Sequence, residues 1–270
     1  MRAFMTALSA PKLGNRDEEC EDAHAVHPSV PSDETIEIGP ILASVADGAS
    51  ESLLAGSWAA VLTKTVTELA RRDIDIFRER SVFAASIIAA IDKWEAWLED
   101  YLLSREARSS PIRWYEKPGL ERGAYATLVA ASFLDSSGES GTWSAAAIGD
   151  SCLFQVRGNR LLQAFPVQKA EDFDSSPHLL NSKNRDAEII ARRVEILSGN
   201  FIVGDQFFFG TDALACWFLT HSESGRRPWN LLRDISCRDD PQYFTQWICE
   251  ERAAGRMKND DVTLVHVDFG

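Results

Sequence analysis

Residues 41–50 read ILASVADGAS. The first six are small, apolar or β-branched, as a buried strand requires, and the run ends on Asp47-Gly48 just before a helical pattern begins. A strand that stops on a carboxylate followed by glycine sets an acid at the rim of a core, where the backbone can bend sharply beside it. Hard divalent cations want oxygen ligands, and such a rim supplies them. A lone Asp-Gly is more often a simple turn, so a metal reading needs more acids in similar positions.

Outward from this stretch, residues 51–72 carry Leu53, Leu54, Trp58, Val61, Leu62, Val66 and Leu69 near the 3.6-residue period and predict a helix. Residues 81–105 repeat the pattern with Phe83, Ile87, Ile91, Trp94 and Leu98, and 104–120 read as an irregular connection. From Gly123 the texture changes to strands at 124–134, 143–148, 153–157 and 160–165, the last pair joined by a Gly158-Asn159 turn. The polar stretch 166–186 reads as a surface loop or flap, 188–197 as a strand and 198–200 as a turn. Residues 206–210 form a strand that ends on Thr211-Asp212, and 213–220 and 241–254 look helical. A last β-branched strand, 262–267, follows Asn259-Asp260-Asp261.

Upstream, residues 3–9 read as a first strand rather than a signal peptide, their apolar run being short for one. Residues 12–22 form a polar loop with Arg16 and Glu21-Asp22, 23–27 start another strand, and 28–40 are a proline-bearing surface loop. No repeat or long linker divides the 270 residues, so one domain over 1–270 is expected.

Hydrophobic residues make up 45% of the chain, enough for a large core and too many for disorder. The formal net charge of −13 argues against a nucleic acid or an anionic membrane as the main partner. No stretch approaches the ~20 apolar residues of a membrane helix. Cys20, Cys152, Cys216, Cys237 and Cys249 lack zinc-type spacing and read as reduced, mostly buried thiols of a cytoplasmic protein.

Three acids share the setting of Asp47: Asp47 itself, Asp212 after QFFFGT, and Asp260 just before VTLVHV. Carboxylates crowded at strand ends repel one another unless cations neutralise them, and divalent ions there also acidify a bound water. Asp22 and Asp150, the latter in a Gly149-Asp150-Ser151 break, are candidate outer ligands, and Arg16 is a candidate phosphate fork.

The ordered set Glu21-Asp22, Asp47-Gly48, Gly149-Asp150-Ser151, Thr211-Asp212 and Asp260-Asp261-Val262-Thr263 resembles the metal-dependent protein phosphatases of the PP2C type, with GAYATLVAAS (123–132) similar to the family's small-residue strand. The resemblance spans nearly the whole chain. It implies an α+β fold, a four-layer αββα sandwich of two antiparallel β-sheets flanked by helices. It also implies two Mn²⁺ or Mg²⁺ ions, or three, with Asp47 bridging and the Gly48 carbonyl as a further ligand. Asp212 and Asp260 would hold the second ion, Asp22 would act on the first through water, and Asp150 would serve a third. The reaction implied is hydrolysis of phosphoserine or phosphothreonine in a protein, within a Ser/Thr kinase system.

The sequence also departs from the family. Ala49-Ser50-Glu51 stands where His or Met and then Gly-Gly are usual, Ala213 replaces Gly, Asp261 replaces Asn, and Arg16 lies one residue too far from Glu21. Two rival readings follow: a pseudophosphatase that keeps the fold as a regulatory binding module, and a hydrolase of small phosphate esters. Of the scattered histidines, His24 lies in the EDAH stretch beside Asp22 and His178 in the 166–186 loop, where it could approach a substrate. A lone histidine is more often a partner for nearby groups, and Trp94 and Trp97 read as helix packing.

Overall fold

The computed structural model describes residues 2–28, 39–136, 138–173, 177–238 and 240–270. The chain opens with strands β1 (Ala3–Ala10), β2 (Ala23–His27) and β3 (Ile41–Ala46), then helices α1 (Ala55–Arg72), α2 (Arg80–Ala107) and α3 (Lys117–Arg122). Strands β4 (Tyr125–Ala126), β5 (Leu128–Asp135), β6 (Ser140–Ile148), β7 (Cys152–Arg157), β8 (Arg160–Phe165) and β9 (Leu180–Asn181) follow. The remainder is α4 (Ala187–Arg193), β10 (Glu195–Ile202), β11 (Asp205–Gly210), α5 (Asp212–Glu223), α6 (Pro228–Ser236), α7 (Gln242–Ala253) and β12 (Val262–Phe269).

Two five-stranded sheets run in the orders β1-β12-β11-β7-β8 and β10-β6-β5-β3-β2, and β4 pairs with β9 beside them. Every strand pair is antiparallel. Side chains alternate across each strand, so each sheet is buried on both faces and the molecule has three apolar layers. Between the sheets lie Ile41, Ala43 and Val45 with Phe133, Phe207, Phe209 and Phe269. Outside one sheet, Leu42 and Ala46 meet Trp58, Leu62, Phe83 and Trp94 of α1 and α2. Outside the other, Phe154, Phe208 and Leu264 meet Trp217, Phe218, Leu232 and Ile248 of α5, α6 and α7. This is the expected four-layer αββα sandwich of two antiparallel β-sheets.

The structure corrects several sequence-based expectations. Residues 188–197 do not form one strand: α4 occupies their first half, because the Asp186 carboxylate accepts from the N–H groups of Glu188 and Ile189, 3.0 Å each, and caps a helix. Residues 198–200 are not a turn but the middle of β10, where Gly199 lies opposite Trp143 of β6. A side chain there would sit 2.8 Å from the indole nitrogen, so the glycine makes room for a ring rather than for a bend. The connection after α2 holds the short α3, the loop at 166–186 carries β9, and α6 was not anticipated. Of the expected loop at 28–40, residues 29–38 lie outside the described residues, as does part of the flap, 174–176.

Only Cys152 of the five cysteines is buried, since the others face outward or lie at element edges, and all five are free thiols. Trp94 does pack in the helical layer, edge-on to Trp58 at 5.6 Å and stacked on Trp97 at 4.8 Å. No described helix is long and apolar enough to cross a membrane.

Candidate metal centre

Asp47 emerges from the end of β3, whose six residues are all buried. Its N–H donates to Thr127 Oγ1 (3.2 Å), its carbonyl accepts from Thr127 N–H (2.8 Å), and Gly48 bridges to Ala126. Thr127 in turn shares a 2.6 Å hydrogen bond with Ser151, tying the Asp47 turn to the Gly149-Asp150-Ser151 bend. Gly149 has φ +98°, and a side chain on it would lie 2.6 Å from Thr127, so the bend that carries Asp150 needs glycine.

Gly48 and Gly56 hold the 20–22 segment against the same turn. A Cβ on Gly48 would lie 2.6 Å from the Glu21 carbonyl, and one on Gly56 would lie 2.9 Å from Glu21 Cα. The Gly48 N–H donates to that Glu21 carbonyl at 3.2 Å. Asp22 is thereby brought to Thr211, whose hydroxyl donates to Asp22 Oδ2 (2.9 Å) while accepting from Thr263 N–H (3.0 Å). Asp212 stands at the first turn of α5, directly after β11. Asp260 precedes β12, and its carbonyl accepts from the Arg252 guanidinium.

A cavity of about 650 Å³ opens over these elements, lined by Asp47, Gly48, Asp150, Asp212 and Asp260 among others. Ala49, Ser50, Glu51 and Ser52 form one wall and Pro177 and Leu179 another, so the unusual loop after Asp-Gly faces the acids directly. Asp22 sits just behind, bonded through Thr211. The structure thus gathers the acids singled out in the sequence from five separate places in the chain.

Arg16 is not with them. Its side chain is 82% exposed and pairs with Glu19 at 3.6 Å. Arg122, at the end of α3, lines the cavity instead, and its guanidinium has no hydrogen bond or ion pair among the described residues. Lys258 also lines the cavity, its ammonium 3.0 Å from Asp212 Oδ2 and 2.8 Å from Asp260 Oδ2. Sequence reading passed over both. For Lys258 the signal was present, since a cation two residues before a ligand-type Asp falls within reach of it. His24 is exposed on β2 and does not line the cavity.

The electrostatics are those of an under-neutralised acid cluster. Burial raises the Asp47 carboxyl well above its ordinary pKa, and Asp22, Asp212, Asp260 and Asp150 push it further. Asp22 is raised in the same way, by burial first and by Asp261 and Asp212 next, against a lowering by its bonds to Thr211 and Thr263. Asp22 Oδ1 and Asp212 Oδ1 are buried with no hydrogen-bond partner. Orphaned carboxylate oxygens in a hard-oxygen donor set suit Mn²⁺ or Mg²⁺, which neutralise the cluster and satisfy those lone pairs. Yet no three acidic, histidine or cysteine side chains among the described residues converge into a ready cage. Water ligands, which such ions commonly keep, would complete the shell.

Asp261 is not a site residue. It is buried, with Oδ1 accepting from Lys12 N–H (2.7 Å) and Oδ2 from Glu21 N–H (2.8 Å), so its charge pins the 12–21 loop rather than facing the cavity. Lys12 then reaches Glu21 at 3.2 Å and Ser50 at 2.9 Å, closing the loop over the Asp-Gly turn.

No protein-family model and no curated protein sequence matches this chain. Solved structures do match. The Mycobacterium tuberculosis serine/threonine phosphatase PstP/Ppp matches with a TM-score of 0.59 at 16% identity, over 100% of this chain and 99% of that one. The catalytic domain of serine/threonine phosphatase PstP with two manganese ions gives 0.55 at 15%, over 99% and 98%. RsbX in complex with magnesium gives 0.54 at 14%, over 100% and 96%. The chain therefore has the fold of the PP2C-type serine/threonine phosphatases, end to end.

Proposed function

We propose that this protein is a Mn²⁺- or Mg²⁺-dependent phosphatase that hydrolyses phosphoserine or phosphothreonine in proteins. One observation carries the reading: Asp47, Asp150, Asp212 and Asp260, each at the end of a different strand, line one cavity. Strand ends distant in sequence have little reason to point mutually repelling acids into one space unless cations belong there. Asp47 would serve two ions, one held also by the Gly48 carbonyl and Asp22 and the other by Asp212 and Asp260, and Asp150 would hold a third. Divalent ions so held acidify water and draw charge from a phosphoryl oxygen.

The chain's own residues do the rest. The threonine links through Thr127 and Thr211 fix the acids. Arg122 is the lining cation without a side-chain partner among the described residues, placed to meet a substrate phosphate in the role first assigned to Arg16. The substrate would be the product of a serine/threonine kinase. The fold shared with PstP and RsbX supports the reading, and a cytoplasmic site of action accords with it.

The test is phosphate release from a phosphothreonine peptide and from a nucleoside monophosphate, each with Mn²⁺, Mg²⁺ or EDTA. Peptide turnover that EDTA abolishes is the expected result. Turnover of the nucleotide alone would reassign the protein as a small-ester hydrolase. A second reading, the regulatory binding module, is favoured by one feature only: Lys258 already neutralises Asp212 and Asp260. Complete absence of turnover on both substrates would leave that reading in possession.

A further inference from the structure

Lys258 lies in the connection between α7 and β12, and its backbone is fixed from both sides. Met257 before it is buried in the outer helical layer. Asn259 after it accepts from Leu13 N–H at 2.8 Å, and Arg252 holds the Asp260 carbonyl and donates to the Pro11 carbonyl at 3.0 Å. The side chain, by contrast, is 64% exposed. Its ammonium sits between Asp212 Oδ2 and Asp260 Oδ2, at 3.0 and 2.8 Å. A monocation with three N–H donors is bridging the two oxygens that a divalent ion in that position would use. Lys258 does not satisfy Asp212, whose Oδ1 stays buried and unbonded, whereas Asp260 Oδ1 accepts from the Asp261 N–H at 3.1 Å.

Taking these acids as the metal ligands proposed above, we infer that Lys258 is a tethered counter-ion that competes with the ion held by Asp212 and Asp260. The ammonium already occupies the space between these two oxygens that a divalent ion there would take, and two cations at such spacing repel each other. Metal entry there must drive the ammonium out. Asp47 has no lysine or arginine bonded to it among the described residues, so an ion held there with the Gly48 carbonyl meets no such competitor. Loading is therefore sequential: a first ion binds at Asp47, and a second binds more weakly after displacing Lys258. The full complement assembles only when divalent metal is plentiful, which makes Lys258 the residue that sets the metal threshold of the site.

The experiment is a Mn²⁺ titration of the full chain, following free Mn²⁺ by electron paramagnetic resonance, on the wild type, Lys258→Met and Lys258→Arg. Thermal unfolding of the metal-free proteins runs alongside, with Lys258→Gln as a second neutral variant. The inference predicts a tight and a weak step in the wild type. It predicts that the weak step tightens about tenfold or more in Lys258→Met and Lys258→Gln, while the tight step and the Lys258→Arg curve stay as in the wild type. The metal-free melting temperature should fall in the neutral variants, and its rise with Mn²⁺ should grow. An unchanged weak step in folded neutral variants overturns the role of Lys258 and leaves the metal reading intact. Failure of every protein to bind Mn²⁺ overturns the metal reading and this inference with it.

Discussion

Asp261 shows how far a side chain's role depends on what its oxygens touch. By sequence it is an extra charge next to a metal ligand. In the structure both oxygens accept backbone N–H groups, from Lys12 and Glu21, in a buried setting. Asparagine offers one acceptor oxygen and turns an NH₂ toward the other donor. Asp261→Asn, although it restores the residue usual in the family it resembles, should therefore cost about 1–3 kcal/mol in urea unfolding. Equal or higher stability in that variant would show that the two bonds carry no weight. Gly48→Ala makes a companion case. Its methyl group would lie 2.6 Å from the Glu21 carbonyl and 2.8 Å from the Ala55 backbone, neither of which can yield cheaply. A loss of about 1–3 kcal/mol is expected, with weaker Mn²⁺ binding as Asp22 is pushed from Thr211. A variant that binds the ion as the wild type does would contradict the clamp. At this scale the sequence revealed the acids, since each ends an apolar run, but not their partners. Arg122 carries no local pattern, Lys258 is marked only by its spacing from Asp260, and the roles of both, like that of Thr211, exist only once distant strand ends meet.

At the scale of elements, legibility followed length and periodicity. Strand β3, helices α1 and α2 and strand β12 were readable because uninterrupted apolar runs or a 3.6-residue period mark them. Helix α6 escaped notice although Pro228 opens its first turn and Trp229, Leu232 and Ile235 recur at three-residue spacing, a signal that was there to be used. The β10 error has a different cause. Ser198-Gly199-Asn200 has the composition of a turn, but Gly199 is needed under the Trp143 ring on the neighbouring strand. Cross-strand fit overrode turn propensity, and no local rule reports it. Gly199→Ala should thus destabilise the sheet, by about 1–3 kcal/mol, where a true turn glycine of ordinary φ would tolerate the change. Denaturant midpoints of the variant and the wild type decide this, and a stabilised variant would return the segment to a turn.

At the scale of the whole molecule, three stacked apolar layers leave few polar groups inside, and one of these predicts a pH response. His266 is wholly buried on β12, stacked on Phe208 at 4.4 Å, with neither ring nitrogen bonded. Burial, with Arg233 contributing, pushes its pKa down from 6.5 to about 3. The folded protein then binds fewer protons than the unfolded chain between those values, so His266 removes stability as pH falls through that window. From pH 7 to pH 5 the loss from this residue is about 2 kcal/mol. His266→Phe should flatten that part of the pH–stability curve, and an unaltered slope would assign it elsewhere.

The central claim is that the acids at the strand ends form a divalent-metal phosphatase centre, and Asp47 is its pivot. Phosphate release from a phosphothreonine peptide in Mn²⁺, wild type beside Asp47→Asn, tests it most directly. The account predicts a loss of at least ~10³-fold in the variant. Its metal-free melting temperature should be unchanged or raised, because a buried, repelled carboxylate has been removed. Turnover within a few-fold of the wild type, or wild-type turnover indifferent to EDTA, would contradict the claim.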